Sequence, residues 1–315
     1  MVDSMLKYIF FIFLTQLVFY TSVQAQLNTS QSSSDLSWKE LDNKYVKIYY
    51  PDFLEEKAQY IANLIDHYQT VVGKTYGIKK PIKFPLILRA EMSEPNGFVT
   101  LMPRRSEWFS AANITPFIGG LEWYQALAVH EYRHIIQYDH MFQGTSKGLY
   151  YILGELGRTV GTVLTAPSWF FEGDAVWTET KYSDAGRGRS PRFSARLRAL
   201  IDADYFPSLD NYLGGDFEIP LPNHYVFGYY ATTAGHNKYG ENFWAKVTRD
   251  SAQSFIWFYN LHMSVAPRLL GGLLRVLGRN TWLQTKAQKL GPTASIPFVG
   301  QTHPSCNSTS LASHL

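Results

Sequence analysis

One short stretch constrains the fold of this chain more than any other: residues 127–140 read LAVHEYRHIIQYDH. On a helix, residues four apart lie on the same face, so His130 and His134 can present their ring nitrogens to one metal ion. Two imidazoles at this spacing suit zinc, and Glu131, one step round the helix, can reach a water molecule beside the metal. The alternative is a buried helix whose histidines are satisfied by hydrogen bonds.

The residues around the two histidines favour the metal site. They are apolar, so the histidines between them would be buried polar groups. Burying polar groups costs free energy unless they have partners, and a bound cation supplies one. We therefore expect one zinc ion as the cofactor. The flanking apolar residues are Leu127, Ala128, Val129, Ile135 and Ile136.

A third protein ligand is expected from the downstream run SWFFEGDAVWTE, residues 168–179. Glu172 can complete the site with the two histidines. Gly173 and Ala175 keep the surface of this second helix small where we expect it to approach the helix of the histidines. Glu179, two helical turns after Glu172, is placed to accept a hydrogen bond from the second nitrogen of a ligand histidine.

His140 is the rival third ligand. HEYRHIIQYDH has the spacing of sites in which a glycine, three residues after the second histidine, turns the chain back to the metal. Position 137 is Gln, so the helix should continue and carry His140 about 240° round from His134. Glu172 is therefore preferred, and a metzincin-type site with His140 stays the alternative.

Hydrophobic periodicity predicts an α+β chain with a sheet-rich part at 37–118 and a helical part at 119–250. Between them these parts make one domain, 37–250. Strands are predicted at 44–50, 82–90, 97–103 and 106–112, with one helix at 53–72 between the first two. From Leu121 onward the pattern is helical, with predicted helices at 121–142, 149–164, 168–182 and 191–202 and more helix, interrupted by glycines, at 224–249.

HEYRH together with WFFEGDAVWTE resembles the gluzincin branch of zinc metallopeptidases. The pair is more closely similar to the peptidase-MA-like catalytic domains of exported bacterial proteins, some of which carry a TolB-type β-propeller. The resemblance implies a zincin-like fold: a small N-terminal mixed sheet packed on the active-site helix, then a mainly helical C-terminal subdomain. It also implies zinc held by His130, His134 and Glu172, with Glu131 as the general base.

Two departures qualify this resemblance. Arg133 is charged where the pattern usually has an uncharged residue, and we expect it to pair with Asp174 or Glu179 or else to weaken the site. The sequence also lacks the anchor by which aminopeptidases grip the substrate amino group. An endopeptidase is therefore favoured over an exopeptidase.

The remaining parts of a peptidase site are less constrained. His224, Tyr225, Tyr229 and Tyr230 are available as donors to an oxyanion, and Tyr229 or Tyr230 is favoured. Residues 97–103 or 106–112 can pair with an extended peptide by strand addition. Two other functions use the same residues: an exported binding or envelope-associated protein with a weak or inactive site, and a metalloenzyme with a non-peptide substrate.

The N-terminus predicts export. Lys7 precedes an apolar run at 8–20 and small residues up to Ala25, so we expect a secretory signal at 1–25 and a flexible leader at 26–36. The run is shorter than the roughly 20 residues that span a bilayer, so no stable membrane span is expected after cleavage. A periplasmic or secreted location follows.

Composition narrows the partners. Cys306 is the one cysteine, so the chain folds without intramolecular disulfides, as is common for bacterial exported proteins of this size. The net charge of +3 comes from 29 basic and 26 acidic residues without a large basic cluster. A nucleic-acid partner is therefore not expected, and a peptide or protein substrate is. Residues 251–315 are a tail of uncertain structure.

Overall fold

The computed structural model describes residues 32–253 with the exception of 79–81, 92–93, 112–119, 206 and 217. Within these residues the protein is α+β, as predicted, with a small mixed sheet followed by several helices. The predicted signal at 1–25, residues 26–31 of the leader and residues 254–315 of the tail lie outside the described residues.

The sheet has five strands in the order β1-β2-β3-β5-β4. The three inner strands run parallel, and the two edge strands are antiparallel to their neighbours. Alternate residues of β2 and β3 are buried, as expected for strands with one covered face. The strands are β1 Trp38–Asp42, β2 Val46–Pro51, β3 Phe84–Arg89, β4 Gly97–Leu101 and β5 Arg104–Phe109.

Four of these strands match the predicted runs, whereas β1 was not predicted. Its sequence, WKELD, is largely exposed and carries three charges, so hydrophobic alternation does not mark it. Backbone pairing with β2, in which Leu41 lies opposite Ile48, makes it a strand.

Nine helices of more than one turn form the rest of the described chain: α1 Glu55–Val72, α2 Trp123–His140, α3 Gly144–Leu153, α4 Glu155–Thr165, α5 Ser168–Tyr182, α6 Pro191–Asp202, α7 Leu209–Gly214, α8 His224–Tyr239 and α9 Phe243–Gln253. The prediction of a single helix over 149–164 is wrong, because the chain breaks at Gly154 and forms a hairpin of two helices. Within the described ranges no helix is both long and apolar enough to cross a membrane.

Two hydrophobic cores hold these elements together. The sheet core lies between the sheet and helices α1 and α2, and includes Ile48, Ile61 and Leu86. The helical core is aromatic and joins α5, α8 and α9 through residues such as Trp169 and Trp244. Each fully buried large side chain contributes about 1.5–3 kcal/mol. Helix α2 contacts both α1 and α5, so its histidines lie where the two halves of the molecule meet.

Candidate metal centre

Helices α2 and α5 bring three potential metal ligands together. His130 and His134 lie one turn apart on α2 and are 7% and 5% exposed. Glu172, in the first turn and a half of α5, places Oε2 at 3.2 Å from His130 Nε2 and 3.5 Å from His134 Nε2. The three ligand atoms all lie within 4.8 Å of one another. The predicted trio is therefore assembled by the fold.

The donor set fits zinc. Two imidazole nitrogens and one carboxylate oxygen are a common ligand set of catalytic zinc, which keeps a fourth position open. Neighbouring ligands of a tetrahedral zinc ion lie about 3.3 Å apart when the bonds are about 2.0–2.1 Å long. The two distances to Glu172, 3.2 and 3.5 Å, match that spacing. The Glu172 side chain is 22% exposed, so the centre is open to solvent on that side.

Glu131 lies beside the three ligands and is only 4% exposed. Burial raises the pKa of its carboxyl group above the usual range. Its Oε2 has no hydrogen-bond partner among the described residues. A buried carboxylate oxygen without a partner is costly, so this atom needs a ligand or a water molecule.

The edge strand β4 passes directly over this carboxylate. A Cβ atom at Gly97 would lie 2.5 Å from Leu127 Cδ2 and 3.5 Å from Glu131 Cγ, so a larger residue here would require the Leu127 side chain to move. The first residue of the edge strand therefore forms one wall of the site.

Glu179 supports His130, as the sequence predicted from spacing. Its Oε2 lies 3.1 Å from His130 Nδ1. Arg187, in a turn of 3₁₀ helix after α5, donates to the same carboxylate from Nε at 2.8 Å and from Nη2 at 3.0 Å. Burial alone would raise the pKa of Glu179, but the Arg187 charge and the hydrogen bonds from His130 and Arg187 together outweigh it and lower the pKa to about 2. The acceptor of His130 is thus a permanent carboxylate.

Arg187 also places Nη2 at 2.7 Å from His130 Nδ1. A guanidinium has only donors, so a protonated Nδ1 can donate to Glu179 but not to Arg187. When Nε2 of His130 faces a metal, the proton is on Nδ1 and the bond to Glu179 is the one that forms. Arg187 then serves to hold the carboxylate in place.

His134 has a different support. Its Nδ1 lies 2.8 Å from Oε1 of Gln137, one turn further along α2. Gln137 Nε2 donates to the Phe171 carbonyl oxygen at 3.0 Å and to Asp174 Oδ2 at 2.8 Å. Asp174 in turn accepts two hydrogen bonds of 2.8 Å from Arg133. Of the two partners proposed for Arg133, the structure therefore selects Asp174.

The Arg133–Asp174 pair is fully buried, with both side chains 0% exposed. Arg133 also donates to the Val72 carbonyl oxygen at 2.6 Å and to Thr75 Oγ1 at 2.8 Å. Although burial raises the pKa of Asp174, the Arg133 charge and the hydrogen bonds from His236 and Arg133 together outweigh that effect and hold the pKa well below its usual range. A buried ion pair is tolerated when its remaining donors are satisfied in this way.

The ligands themselves are coupled by charge. Burial lowers the pKa of His134, but the Glu172 carboxylate outweighs it and raises the pKa to about 9. The pKa of His130 is also raised, and that of Glu172 lies well below its usual range. In the absence of a metal, the carboxylate therefore stabilises an imidazolium, and a metal ion must displace that proton.

Helices α5 and α8 cross at two glycines, and this crossing corrects the expected role of Gly173. A Cβ atom at Gly173 would lie 2.1 Å from the carbonyl carbon of Gly228, and one at Gly228 would lie 1.9 Å from the Trp169 carbonyl oxygen. Gly173 therefore faces α8 rather than the histidine helix. This close crossing brings the first turn of α8 to the metal centre.

Tyr225, in that first turn, is the tyrosine beside the ligands. Burial and the Glu172 carboxylate both raise the pKa of its hydroxyl group, so Tyr225 stays a donor at neutral pH. Its ring also lies under the Arg187 guanidinium, 5.1 Å from the ring centroid. Tyr225 was only one of four donors considered from the sequence.

The preferred candidates, Tyr229 and Tyr230, lie elsewhere. Tyr229 packs against Gly188 and stands edge-on to the Phe193 ring at 6.0 Å. The Tyr230 ring contacts the Tyr229 ring, and the Tyr230 hydroxyl group lies within hydrogen-bond reach of the Ser194 hydroxyl group. Tyr229 lies one turn further along α8 than Tyr225, and Tyr230 lies one residue further round the helix, so their contacts are with α6 and the turn before it. Of these three tyrosines, Tyr225 is therefore the one beside Glu172.

His140 is held away from the centre. Helix α2 continues through it, and its Nε2 lies 2.9 Å from the Ala245 carbonyl oxygen. Its ring packs against Tyr76 with 4.6 Å between centroids. Burial lowers the pKa of His140, so its neutral ring donates to the carbonyl. The structure does not bring His140 to the metal ligands.

Three residues of the site were not found from the sequence. Gln137 was considered only as the absence of a glycine, although its position one turn after His134 is a local signal for a hydrogen-bond partner. Tyr138, whose ring stacks on His134 at 6.0 Å, has no distinguishing motif. Arg187 reaches the site through a turn, and loop geometry leaves no periodic pattern.

Comparison with protein-family models, with curated proteins and with solved structures gives no match to this chain.

Proposed function

We propose that this protein is a zinc-dependent peptidase of the gluzincin type, with His130, His134 and Glu172 as zinc ligands. The observation that supports this most is the spacing of the three donor atoms, with 3.2 and 3.5 Å from Glu172 Oε2 to the two imidazole nitrogens. The unpartnered Oε2 of Glu131 beside these three residues and the solvent-exposed side at Glu172 also support the proposal, because a catalytic zinc site keeps a fourth position open.

The chemistry would be divided between the metal and this chain. Zinc, when bound, supplies a Lewis acid that makes water more acidic and polarises a carbonyl group. Glu131 takes a proton from the attacking water and returns it to the leaving amine. Its raised pKa suits both steps, because a carboxylate with a pKa nearer neutrality accepts and releases a proton more readily.

Tyr225 is the proposed donor to the developing oxyanion. Its hydroxyl group stays protonated beside Glu172, and Arg187 covers its ring. A preorganised donor of this kind contributes more to the transition state than to the bound substrate. Tyr229→Phe is the matched control on the same helix.

The substrate is proposed to be an extended peptide that adds to β4. This strand forms an edge of the sheet, and in the described part of the chain no other strand pairs with its outer side. Because Gly97 lies against Glu131, a peptide hydrogen-bonded along β4 would pass the general base. Recognition through backbone atoms tolerates many sequences and places no demand on a chain end, which favours an endopeptidase.

Export is part of the proposal. The N-terminal signal pattern and the single cysteine support a periplasmic or secreted protein, so the substrate would be a peptide or protein outside the cytoplasm.

Glu131→Gln tests the proposal. The variant should keep one zinc ion per chain and lose peptide hydrolysis by about 10²–10⁴-fold, because it removes the base and leaves all three ligands. Hydrolysis would be measured on an unstructured protein and on a peptide library. Retained turnover would contradict the assignment of Glu131, and absence of turnover in zinc-loaded wild type would favour the binding protein.

Tyr225→Phe should lower kcat by about 10²-fold with little change in zinc content, because it removes one oxyanion donor. Tyr229→Phe should leave kcat within a factor of two to three, on the order of an ordinary packing change. Equal kinetics of the two variants would show that Tyr225 is not the donor.

A further inference from the structure

The partner of His134 is a neutral amide whose two ends have nearly the same shape. A glutamine can place either its oxygen or its NH₂ group against an imidazole, and the surrounding hydrogen bonds decide which end is there. Gln137 has two further neighbours within reach of its outer end, the Phe171 carbonyl oxygen at 3.0 Å and Asp174 Oδ2 at 2.8 Å. Both are acceptors.

Arg133 keeps Asp174 an acceptor. Nε and Nη2 of the guanidinium each lie 2.8 Å from one carboxylate oxygen, so a proton on Asp174 would have to compete with a buried cation. Two acceptors at its outer end require the NH₂ group of Gln137 to face them. The oxygen of Gln137 must then face Nδ1 of His134.

We propose that Gln137 and Asp174 are positioning residues that set the tautomer of His134, with its proton on Nδ1 and the lone pair of Nε2 directed at the metal centre. This inference rests on the proposed zinc site, since a zinc ligand needs an unprotonated nitrogen. With the amide reversed, an N–H group would face Nδ1, the proton would move to Nε2, and the metal position would be blocked.

Both acceptors of Gln137 lie on α5, the helix that also carries Glu172. Phe171 and Asp174 flank Glu172 on α5, so one short segment delivers the third ligand and also sets the orientation of Gln137. Packing of α5 on α2 therefore fixes Glu172 and the His134 tautomer together. Glutamine at position 137, where a metzincin would have glycine, then serves as the hydrogen-bond acceptor of His134 Nδ1.

Gln137→Met tests the inference, because methionine has a similar shape and cannot hold the Nδ1 proton of His134. We expect affinity for Zn²⁺, measured by competition with a chelator, to fall about 10–100-fold, and the visible spectrum of the Co²⁺-loaded protein to change. Gln125→Met is the matched control: it lies on the same helix and donates to Tyr68 instead. It should leave Zn²⁺ affinity and the Co²⁺ spectrum unchanged.

Asp174→Asn provides a second test, since Asp174 reaches His134 only through Gln137. The new NH₂ group can face Gln137 and reverse it, so we expect Zn²⁺ affinity to fall at least 10-fold in protein that remains folded by circular dichroism.

The outcomes separate this inference from the proposed function. Equal Zn²⁺ affinity of Gln137→Met and Gln125→Met, with one zinc ion in wild type, would overturn the inference alone; no zinc in wild type would overturn both. If the Gln137 and Asp174 variants do not fold, NMR of zinc-loaded wild type decides. A slowly exchanging, downfield Nδ1 proton on His134 is expected, and a rapidly exchanging one would overturn the inference.

Discussion

The two histidines proposed as zinc ligands lie one helical turn apart and are supported in opposite ways. His130 donates to a carboxylate, Glu179, which is held by Arg187 at the edge of the site, where the arginine side chain is 18% exposed. His134 donates to an amide, Gln137, which is held by the fully buried Arg133–Asp174 pair. In both cases an arginine fixes an acidic residue, but only at His130 does that acid touch the ligand.

This difference assigns different work to the two arginines. Arg187 acts locally, because it orients the one carboxylate that contacts His130. Arg133 reaches Val72 at the end of α1, Thr75 after it and Asp174 on α5, so it joins the sheet-containing half of the molecule to the helical half. We expect the His134 side to matter more for folding, whereas both sides contribute to zinc affinity.

Arg133→Met should give the largest effect. It leaves Asp174 as a buried charge without its partner, which costs about 3–5 kcal/mol of unfolding free energy. Arg187→Met should cost clearly less, because Glu179 keeps the backbone N–H of Arg187 as a donor at 2.9 Å and the Arg187 side chain is already 18% exposed. Urea unfolding of the metal-free proteins would measure both.

Lys181→Met is the control for these two variants. Lys181 pairs with Glu241 at the surface, where both side chains are more than a third exposed, and such pairs contribute about 0–1 kcal/mol. If Arg133→Met were no more destabilising than Lys181→Met, the buried pair would not have the role described.

Glu179→Gln should give the next effect, on zinc rather than on folding. The substitution places a neutral amide against His130, as Gln137 is against His134, and leaves Arg187 without its carboxylate. We expect Zn²⁺ affinity to fall about 10–100-fold. Chelator competition measures it, and unchanged affinity would mean that the carboxylate contributes nothing beyond what an amide provides.

A further effect concerns the pH dependence of zinc binding. Glu172 raises the pKa of metal-free His134 to about 9, so zinc displaces a proton from this ring at neutral pH. Zn²⁺ affinity should therefore rise about tenfold per pH unit from pH 6.5 to pH 8.5. A flat profile, measured with a chelator calibrated at each pH, would exclude a protonated His134.

The same pKa shift makes a prediction of opposite sign for the metal-free protein. The folded-state pKa of His134 is raised, so the ion pair with Glu172 stabilises the fold fully below about pH 6.5, the ordinary value for histidine. That contribution is lost as the pH rises through about 9.

Much of the site could be predicted from the sequence because helical periodicity is regular. The offset of four between His130 and His134 and the offset of seven between Glu172 and Glu179 place these residues on common faces before any packing is known. The α+β order could be predicted for the same reason. Within a helix or a strand, the period of the element fixes the direction of each side chain, so the sequence predicts it.

What could not be predicted depends on how elements cross. Tyr225 rather than Tyr229 faces Glu172 because two glycines let α5 and α8 approach at Gly228, and the sequence does not say which helices meet there. Arg187 enters through a turn, and β1 is a strand because of its partner rather than its side chains. The position of Gln137, one turn after His134, can be recognised from the sequence. Its orientation cannot, because it depends on acceptors 34 and 37 residues away along the chain.

Zinc content of the wild-type protein and of Glu172→Ala, purified side by side without added metal and after zinc loading, tests the central claim most directly. The account predicts one zinc ion per chain in wild type, lost in the variant, because two neutral imidazoles alone bind zinc weakly. Zinc retained by Glu172→Ala, or no zinc in either protein, would contradict it.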